Sequence, residues 1–291
     1  MTSEFRDHLG NMFKARFPVL YVESFEEQRV IAEIVAVSGD AARVRTPRTV
    51  VTWSATEGLR EVGGAPQTGI QDAVKALGAI LRTSEPTVFV FLDLHAFLDD
   101  TKRSADPTVV RLLRDVASAF KRGVVARALV IVAPVLRIPA ELEKDITLVD
   151  FPLPAEDEIR ALLESMIEAN SRGGRIRVDL DDEGRERLSK AALGLTLHEA
   201  ENAFARAMVE DGTLDIDDVD VVLEEKQQTI RKSGLLEFVP VDLHLDDVGG
   251  LQNLKRWLAR RTIPGWPRPR ATDCLRPRAC SSLVFLDAEN R

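Results

Sequence analysis

The sequence from Thr87 to Asp93 reads TVFVFLD, and this stretch decides the fold class. Its residues are apolar without a polar alternation, and most are β-branched or aromatic, which is typical of a strand buried on both faces. Strands of this kind belong to parallel sheets that helices cover on each side. Asp93 closes the run, so it places a carboxylate at the carboxyl end of the predicted strand.

Four similar runs occur elsewhere in the first half of the chain, and helical patterns separate them. The runs predict strands over residues 19–23, 49–53, 128–133 and 146–151. Apolar residues at helical spacing predict helices over residues 3–15, 26–37, 70–81, 107–121 and, more briefly, 139–144. Alternating strands and helices indicate βαβ units with right-handed crossovers. We therefore predict an α/β domain over residues 1–152, with a parallel five-stranded sheet and helices on both faces.

The pattern changes after residue 152, where strands stop and helices follow one another. Helices are predicted over residues 156–169, 181–192, 197–209 and 217–231. The third has a clear start signal, because Thr196 and Glu199 form a capping box in which each side chain binds the other's backbone N–H. We predict a small all-α subdomain over residues 153–232. A linker is predicted over residues 233–247.

Composition is that of an ordinary soluble globular protein, with 45% hydrophobic and 30% charged residues in 291. No apolar run approaches the ~20 residues of a membrane helix, and the N-terminus lacks a signal-peptide pattern. No cysteine precedes Cys274, which suits a reducing cytoplasm. The net charge of −8 argues against nucleic acid as a general partner. We expect a cytoplasmic location, with neither nucleic acid nor membrane as a partner.

A further informative stretch, residues 246–258, reads DDVGGLQNLKRWL. It resembles the opening of an AAA+ ATPase domain, where the phosphate-binding loop follows a few tens of residues later. The chain as a whole is similar to the uncharacterised AAA+ ATPase family found in cyanobacteria, algal chloroplast genomes and other bacteria. The resemblance covers about residues 15–261, and its other motifs are YVES at 21–24, TWS at 52–54, FLDLH at 91–95, IPAELE at 138–143, FPLP at 151–154, GLTL at 194–197 and EAEN at 199–202.

Members of that family look like a degenerate AAA-like domain joined to an active C-terminal ATPase domain. The resemblance implies an AAA-like, P-loop NTPase-type fold for residues 1–152 and a helical lid at 153–232. It also implies that residues 248–261 begin a truncated AAA+ ATPase domain. For full-length relatives it implies ATP hydrolysis with Mg²⁺, in a homo-oligomer or ring that acts on an unknown protein client.

Residues 262–291 differ in character from the rest of the chain. They hold both cysteines, four of the fourteen prolines and five arginines. With suitable synonymous codons, the shifted reading frame of residues 272–291 encodes G-x-x-x-x-G-K-S, the Walker A phosphate loop. We interpret the segment as an out-of-frame, disordered tail, so that a frameshift truncates the chain before Walker A. A natural disordered terminus is the alternative.

The first predicted strand is not followed by a phosphate-binding loop. Residues 24–27 read SFEE, where such a loop needs glycines for close backbone approach and a lysine for charge. We interpret Glu26 and Glu27 as acids favoured by the dipole of the helix that starts there. Residues 64–69 give G-x-x-x-x-G, but Ile70-Gln71 follows in place of lysine and serine, so we interpret this segment as a loop.

Asp93 stands where the resemblance implies the Walker B acid, which would hold Mg²⁺ through water. Leu94 follows it in place of the water-activating glutamate, and Ala133 ends the fourth strand where a polar sensor is implied. We therefore predict no catalytic residue in this chain. Asp93 is predicted to be a vestigial cofactor-binding residue.

A metal site is an alternative use of the same region. Asp93, His95, Asp99 and Asp100 offer carboxylates and an imidazole, which suit Zn²⁺ or Mn²⁺. The simpler interpretation is a vestigial acid, a loop histidine and two solvated acids, and it predicts no metal.

Three functions are consistent with these interpretations. The first is the N-terminal regulatory or interaction portion of an AAA+ ATPase, inactive as this chain and without a cofactor of its own. The second is a free-standing protein-interaction module. The third is a metal-dependent hydrolase centred on Asp93 and His95. The acidic run at residues 210–225 could dock a basic partner, but we interpret it as a solvated helix face.

Overall fold

A computed structural model describes residues 2–64, 70–98, 105–172 and 176–233. Asp99, Asp100, the segment 65–69, the linker beyond residue 233, the DDVGG segment and the tail at 262–291 lie outside the described residues. The described residues divide into two compact units, the first within 2–162 and 193–202, and the second within 163–192 and 203–233.

Helices and strands alternate through the first part of the chain, and helices dominate the second. The strands are β1 (Val19–Glu23), β2 (Thr49–Ser54), β3 (Gly58–Glu61), β4 (Thr87–Leu92), β5 (Arg127–Ala133), β6 (Ile146–Leu148), β7 (Arg177–Val178) and β8 (Thr213–Leu214). The helices are α1 (Thr2–Lys14), α2 (Glu27–Gly39), α3 (Ala73–Leu81), α4 (Pro107–Arg122), α5 (Glu156–Ser171), α6 (Asp182–Ala191), α7 (Leu197–Glu210) and α8 (Asp218–Ser233).

Six strands of the first unit form one sheet in the order β3-β2-β4-β5-β1-β6. Five of them are parallel, and only the edge strand β3 runs antiparallel, against β2. The predicted α/β fold class, with five parallel strands, is confirmed. Strand β1 lies between β5 and β6, so the crossover from β1 to β2 passes over two strands.

Both faces of the sheet are covered. Alternate residues of β5 pack into the apolar clusters on the two faces. Ala128, Val130 and Val132 belong to the apolar cluster that α1 and α2 complete. The intervening Leu129, Ile131 and Ala133 belong to the cluster that α3 and α4 complete. An uninterrupted apolar run is therefore required at a strand with two buried faces, which explains the pattern of the central strands.

Three elements differ from the sequence-based expectations. Strand β3 was not predicted; it has four residues and begins with Gly58 at φ 74°. The helical part is not all-α, since β7 and β8 pair in parallel. The predicted helix at 139–144 is a single 3-10 turn, Ala140–Leu142, after Pro139. Such short elements carry too few residues for a periodic pattern.

In the second unit, α6 packs against α8 and charged pairs line the surface. Asp181 caps α6 by accepting the backbone N–H of Gly184 at 2.7 Å. Arg206 reaches Glu225 at 2.6 Å and Glu224 at 3.2 Å. The domain limits proposed from the sequence, 1–152 and 153–232, stay a prediction.

Candidate functional site

The carboxyl ends of β1, β4 and β5 meet at one edge of the sheet. The backbone N–H of Ser24 donates to the carbonyl of Ala133 at 2.9 Å, and that of Asp93 donates to the carbonyl of Val132 at 3.0 Å. Ligands of open α/β sheets bind at this edge, where neighbouring strands lead to helices on opposite faces. A functional site is therefore expected at this edge of the sheet.

Only three residues, Ser24, Phe25 and Glu26, separate β1 from α2. The turn closes on itself, because the Ser24 hydroxyl accepts the backbone N–H of Glu26 at 3.0 Å. None of the three is a glycine, and Phe25 projects outward with 78% of its surface exposed. The turn therefore has neither the length nor the flexible backbone of a phosphate-binding loop.

The Glu26 carboxylate binds the start of another helix. Its Oε1 accepts the backbone N–H of Leu197, the first residue of α7, at 2.8 Å, and its Oε2 accepts from Arg29 at 2.9 Å. The first N–H groups of a helix lack intrahelical partners and carry partial positive charge, so they attract anions. Glu26 thus occupies a helix N-terminus as an intramolecular anion.

This contact adds a second helix to the interpretation of Glu26 from the sequence. The acid was expected to be stabilised by the dipole of α2, but its side chain makes no capping hydrogen bond there. Besides Arg29, it binds the backbone N–H of Leu197, 171 residues away in sequence. The fold, and not the local sequence, therefore determines which helix N-terminus the Glu26 carboxylate binds.

Arg29 holds Glu26 in place and joins it to a second acid. Its guanidinium donates to both Glu158 oxygens at 3.2 and 3.1 Å and to the carbonyl of Pro152 at 2.7 Å. It also lies over the Phe151 ring, 4.6 Å from the centroid. The side chains of Arg29 and Glu26 are only 9% and 7% exposed. We call Glu26, Arg29 and Glu158 the buried ion cluster.

The start of α7 is fixed by a second acid as well. The Thr196 hydroxyl accepts the backbone N–H of Glu199 at 3.2 Å, and a Glu199 oxygen accepts the backbone N–H of Thr196 at 2.8 Å. The predicted capping box is confirmed. The backbone N–H groups of residues 196, 197 and 199 therefore all donate to side-chain oxygens within the protein.

Asp93 lies at the end of β4 in an unusual conformation. Its φ of 55° is left-handed, which costs a non-glycine residue about 1 kcal/mol. His95 lies close, with 3.5 Å between its Nδ1 and the Asp93 Oδ1. Among residues 2–64, 70–98, 105–172 and 176–233, no three His, Cys, Asp or Glu side chains are grouped so as to hold a metal ion. Asp99 and Asp100 fall in one of the gaps.

A second acid faces the same hollow as Asp93. Glu27, Asp93, Trp53 and Arg60 line a hollow of about 320 Å³ at the carboxyl edge. Burial, followed by the charge of Asp93, raises the pKa of Glu27 above its usual value of 4.5. The hollow therefore disfavours negative charge on Glu27, although this residue begins a helix.

This pKa shift predicts a pH-dependent effect of Glu27→Gln. A carboxyl whose pKa is raised on folding binds its proton more tightly in the folded state, so stability falls as the pH rises through the window just above 4.5. We expect the variant to match the wild type near pH 4 and to melt at a higher temperature at pH 7. Glu85→Gln, at an exposed position, is the control. An equal difference at both pH values would contradict the prediction.

Sequence comparison defines the class of this protein. Residues 5–151 match the SpoVK-like AAA ATPase N-terminal domain, and residues 157–233 match the second domain of the same proteins. The chain belongs to the SpoVK-like AAA ATPase family. The family resemblance read from the sequence is confirmed.

Individual relatives are similar over most of this chain. An uncharacterized AAA domain-containing protein ycf46 of Guillardia theta is 32% identical over 86% of this chain and 46% of its own length. Its counterpart in Trieres chinensis is 28% identical over 92% of this chain and 52% of its own length. The chain thus spans about half the length of these curated relatives. A RuvB variant of Thermotoga maritima aligns over 81% of this chain and 70% of its own, with 16% identity and a TM-score of 0.44.

No helix among the described residues has the length and apolar character needed to cross a membrane.

Proposed function

We propose that this chain is the catalytically inactive, nucleotide-free N-terminal part of an AAA ATPase, with a regulatory or interaction role. The observation that carries the proposal is the Glu26 carboxylate at the start of α7, 2.8 Å from the Leu197 nitrogen. It comes from the β1–α2 turn, which in an active domain would have to wrap a phosphate.

Charge at the site supports the same proposal. A bound triphosphate needs free backbone N–H groups and an available cation. Here Arg29 is engaged by Glu26 and Glu158, and the hollow beside them carries Glu27 and Asp93. Leu94, buried in the core, follows Asp93 and offers no group to activate water. Phosphate would meet acids where it requires cations.

The remaining expectations belong to the same proposal. The chain itself needs no cofactor, whereas ATP and Mg²⁺ act in the C-terminal ATPase domain of full-length relatives. Residues 1–152 and 153–232 act as domain and lid, and 248–261 begin the next domain. The protein works in the cytoplasm, in a homo-oligomer or ring with full-length relatives, on a protein client.

Binding of Mg-ATP tests the proposal directly. A ligand present at about 100 times its Kd raises the free energy of unfolding by about 2.7 kcal/mol, so a Kd of about 10 μM would give a clear thermal shift at about 1 mM. We expect no heat of binding by calorimetry, no thermal shift and no phosphate release from the full chain.

The matched variant is Asp93→Ala, which removes the strand-end acid that would hold Mg²⁺ in an active domain. A thermal shift by Mg-ATP that this variant abolishes would contradict the proposal. Elemental analysis addresses the metal-dependent hydrolase, for which the Asp93–His95 proximity is the supporting observation. Capture of a related full-length ATPase would favour a free-standing interaction module.

A further inference from the structure

The amino edge of the sheet carries a concentration of positive charge. The segments 14–18, 40–48, 82–86 and 121–127 lead into β1, β2, β4 and β5, which are adjacent in the sheet. Together they contain nine cations and two acids, and we call these four segments the basic edge. Its cations are Lys14, Arg16, Arg43, Arg45, Arg48, Arg82, Lys121, Arg122 and Arg127.

The charge of the first 152 residues is unevenly distributed. Outside the basic edge they hold ten cations and eighteen acids, so a total charge near zero combines two regions of opposite sign. Acids also border the edge, since Glu61 lies at the carboxyl end of β3, beside the start of β2, and Glu143 and Asp145 precede β6. The expectation of no nucleic acid partner rested on the net charge of the chain, which does not describe a local surface.

Helix ends account for only part of this charge. Helices α1, α2, α3 and α4 all end at the basic edge, because each of them leads into one of its strands. A helix C-terminus carries about half a negative charge, so the four together offset about two positive charges and leave the edge with about five. The basic edge therefore holds more cations than the capping of its helices requires.

Backbone carbonyls, and not carboxylates, hold two of these arginines. Arg16 donates to the carbonyls of Gly123 and Val124, at 2.7 and 3.2 Å. Arg127 likewise donates to two carbonyls at the end of α3, at 3.1 and 2.8 Å. Within the described residues, Arg43 is the member of the set that pairs with carboxylates. The charge of the basic edge is therefore largely uncompensated by acids in that part of the chain.

Crowding of like charge is evident at Arg48. This residue is only 9% exposed, donates to the carbonyl of Phe13 at 2.8 Å and lies over the Phe13 ring. Burial, followed by the charge of Arg16, lowers the pKa of Arg48 to about 10. A bound anion would offset the repulsion between these two guanidinium groups.

The exposed side chains of the basic edge are mostly charged. Six of its cations are exposed, namely Lys14, Arg16, Arg45, Arg82, Lys121 and Arg122. Val124, 91% exposed, is the large apolar residue that is exposed among them. Charged residues are depleted and aromatic residues enriched at the core of protein–protein interfaces, whereas interfaces with nucleic acid are more polar and much more positively charged. The edge therefore favours nucleic acid over a protein partner.

Further features of the edge select among polyanions. Single-stranded nucleic acid stacks its bases on exposed aromatic rings, whereas Phe17, the aromatic residue of the edge, is half-buried and lies beside Lys121. Surface binding to a membrane uses several apolar side chains, and an anionic membrane would repel the acids at both flanks of the edge. A duplex backbone needs only cations, and arginine, which predominates here, can bind phosphate through two parallel hydrogen bonds. The features of the edge thus fit a duplex.

We propose that the basic edge binds the sugar–phosphate backbone of duplex nucleic acid, without reading its sequence. Neighbouring strands lie about 4.8 Å apart, so the four strand ends spread the exposed cations over about 14 Å. A DNA duplex offers about eight phosphates over that length, counting both strands, so the numbers of charges are comparable. The proposal goes beyond the proposed function, because this edge is opposite the one where open α/β sheets bind their ligands.

Fluorescence anisotropy of a labelled duplex titrated with the full chain, between about 50 and about 200 mM salt, tests the contact. Each phosphate that a cation neutralises releases bound counterions, so six contacts predict a slope of about −5 for log K against log salt. We expect equal affinity for two duplexes of unrelated sequence. DNA and RNA duplexes of the same sequence show which of the two supplies the backbone.

Charge neutralisation provides the sharper test. The edge variant carries Lys14→Gln, Arg45→Gln and Arg82→Gln, at exposed positions. The control variant carries Lys75→Gln, Arg111→Gln and Arg172→Gln, also at exposed positions and with the same change in net charge. We expect the edge variant to bind at least about tenfold more weakly at low salt, with a slope shallower by about 3, and the control to bind like the wild type.

A single substitution addresses the centre of the edge. Arg16 has a left-handed backbone, with φ of 59°, which glycine adopts readily, so Arg16→Gly removes a cation without straining the chain. We expect weaker binding and a slope shallower by about 1. Circular dichroism checks that each variant is folded.

Four results would overturn the proposal. The first two are a wild-type chain that leaves the duplex free at low salt and an edge variant that binds like the control. The third is tighter binding of a single strand than of the duplex of equal length, which would indicate recognition of bases. The fourth is binding of phosphatidylglycerol vesicles without binding of duplex, which would assign the basic edge to a membrane surface.

Discussion

Replacement of Arg29 by methionine is expected to lower the free energy of unfolding by about 3–5 kcal/mol. The substitution keeps the aliphatic volume but leaves Glu26, 7% exposed, without its cation. An uncompensated buried carboxylate is costly because the protein interior solvates charge poorly. Glu158 and the carbonyl of Pro152 lose the same donor. Urea unfolding followed by circular dichroism measures the loss.

A matched substitution separates this effect from the loss of any arginine. Arg111 pairs with Asp115 at the surface of α4, with 69% of its side chain exposed. Exposed pairs contribute about 0–1 kcal/mol, so Arg111→Met should be nearly neutral. Glu26→Gln added to Arg29→Met should recover part of the loss, because it removes the stranded charge. Equal effects of Arg29→Met and Arg111→Met would show that the buried ion cluster does not stabilise the fold.

Replacement of Trp53 by alanine is expected to cost a similar amount, about 3–5 kcal/mol. Trp53 is 1% exposed, stacks on Phe91 with 4.9 Å between ring centroids, and donates from Nε1 to the carbonyl of Ile70 at 2.9 Å. Alanine leaves a cavity between β2, β4 and the start of the α3 segment, and it strands a carbonyl. Since the chain has two further tryptophans, circular dichroism is a cleaner readout than fluorescence.

Two variants calibrate the Trp53 result. Trp53→Phe keeps most of the ring and loses the hydrogen bond, so it should cost about 1–3 kcal/mol. Phe25→Ala removes an aromatic ring that is 78% exposed and should fall within about 0.5 kcal/mol of the wild type. A cost for Phe25→Ala that equals that of Trp53→Ala would mean that the ring of Phe25 is covered in solution.

The buried ion cluster and the capping box show how differently two polar features can be foreseen. Thr196 and Glu199 are three residues apart, so their mutual bonds follow from helix geometry and could be predicted from the sequence. Glu26 and Leu197 are 171 residues apart, and Arg29 and Glu158 are 129 apart. No local signal marks these pairs, because any acid in the chain could in principle meet any cationic side chain or any free backbone N–H.

The site at Asp93 was foreseen only in part. The sequence shows that leucine follows the strand-end Asp93 and that no glycine follows β1, and both facts predicted an inactive site. The raised pKa of Glu27 could not be predicted from the sequence, because it depends on burial in a hollow that Trp53 and Asp93 also line. The helix dipole favours an acid at that position, but desolvation and a neighbouring carboxylate act in the opposite direction and prevail.

The sequence by itself determined the elements: five parallel strands, the helices between them, the helical second half and the membership of an AAA ATPase family. The elements follow from apolar periodicity, and the family was indicated by the resemblance of short motifs; both are properties of neighbouring residues. Tertiary structure alone decided the strand order, the edge strand β3 and the partners of Glu26 and Arg29. Those depend on which distant segments the sheet brings together, and a buried carboxylate takes the donor that lies within hydrogen-bond distance after the chain has folded.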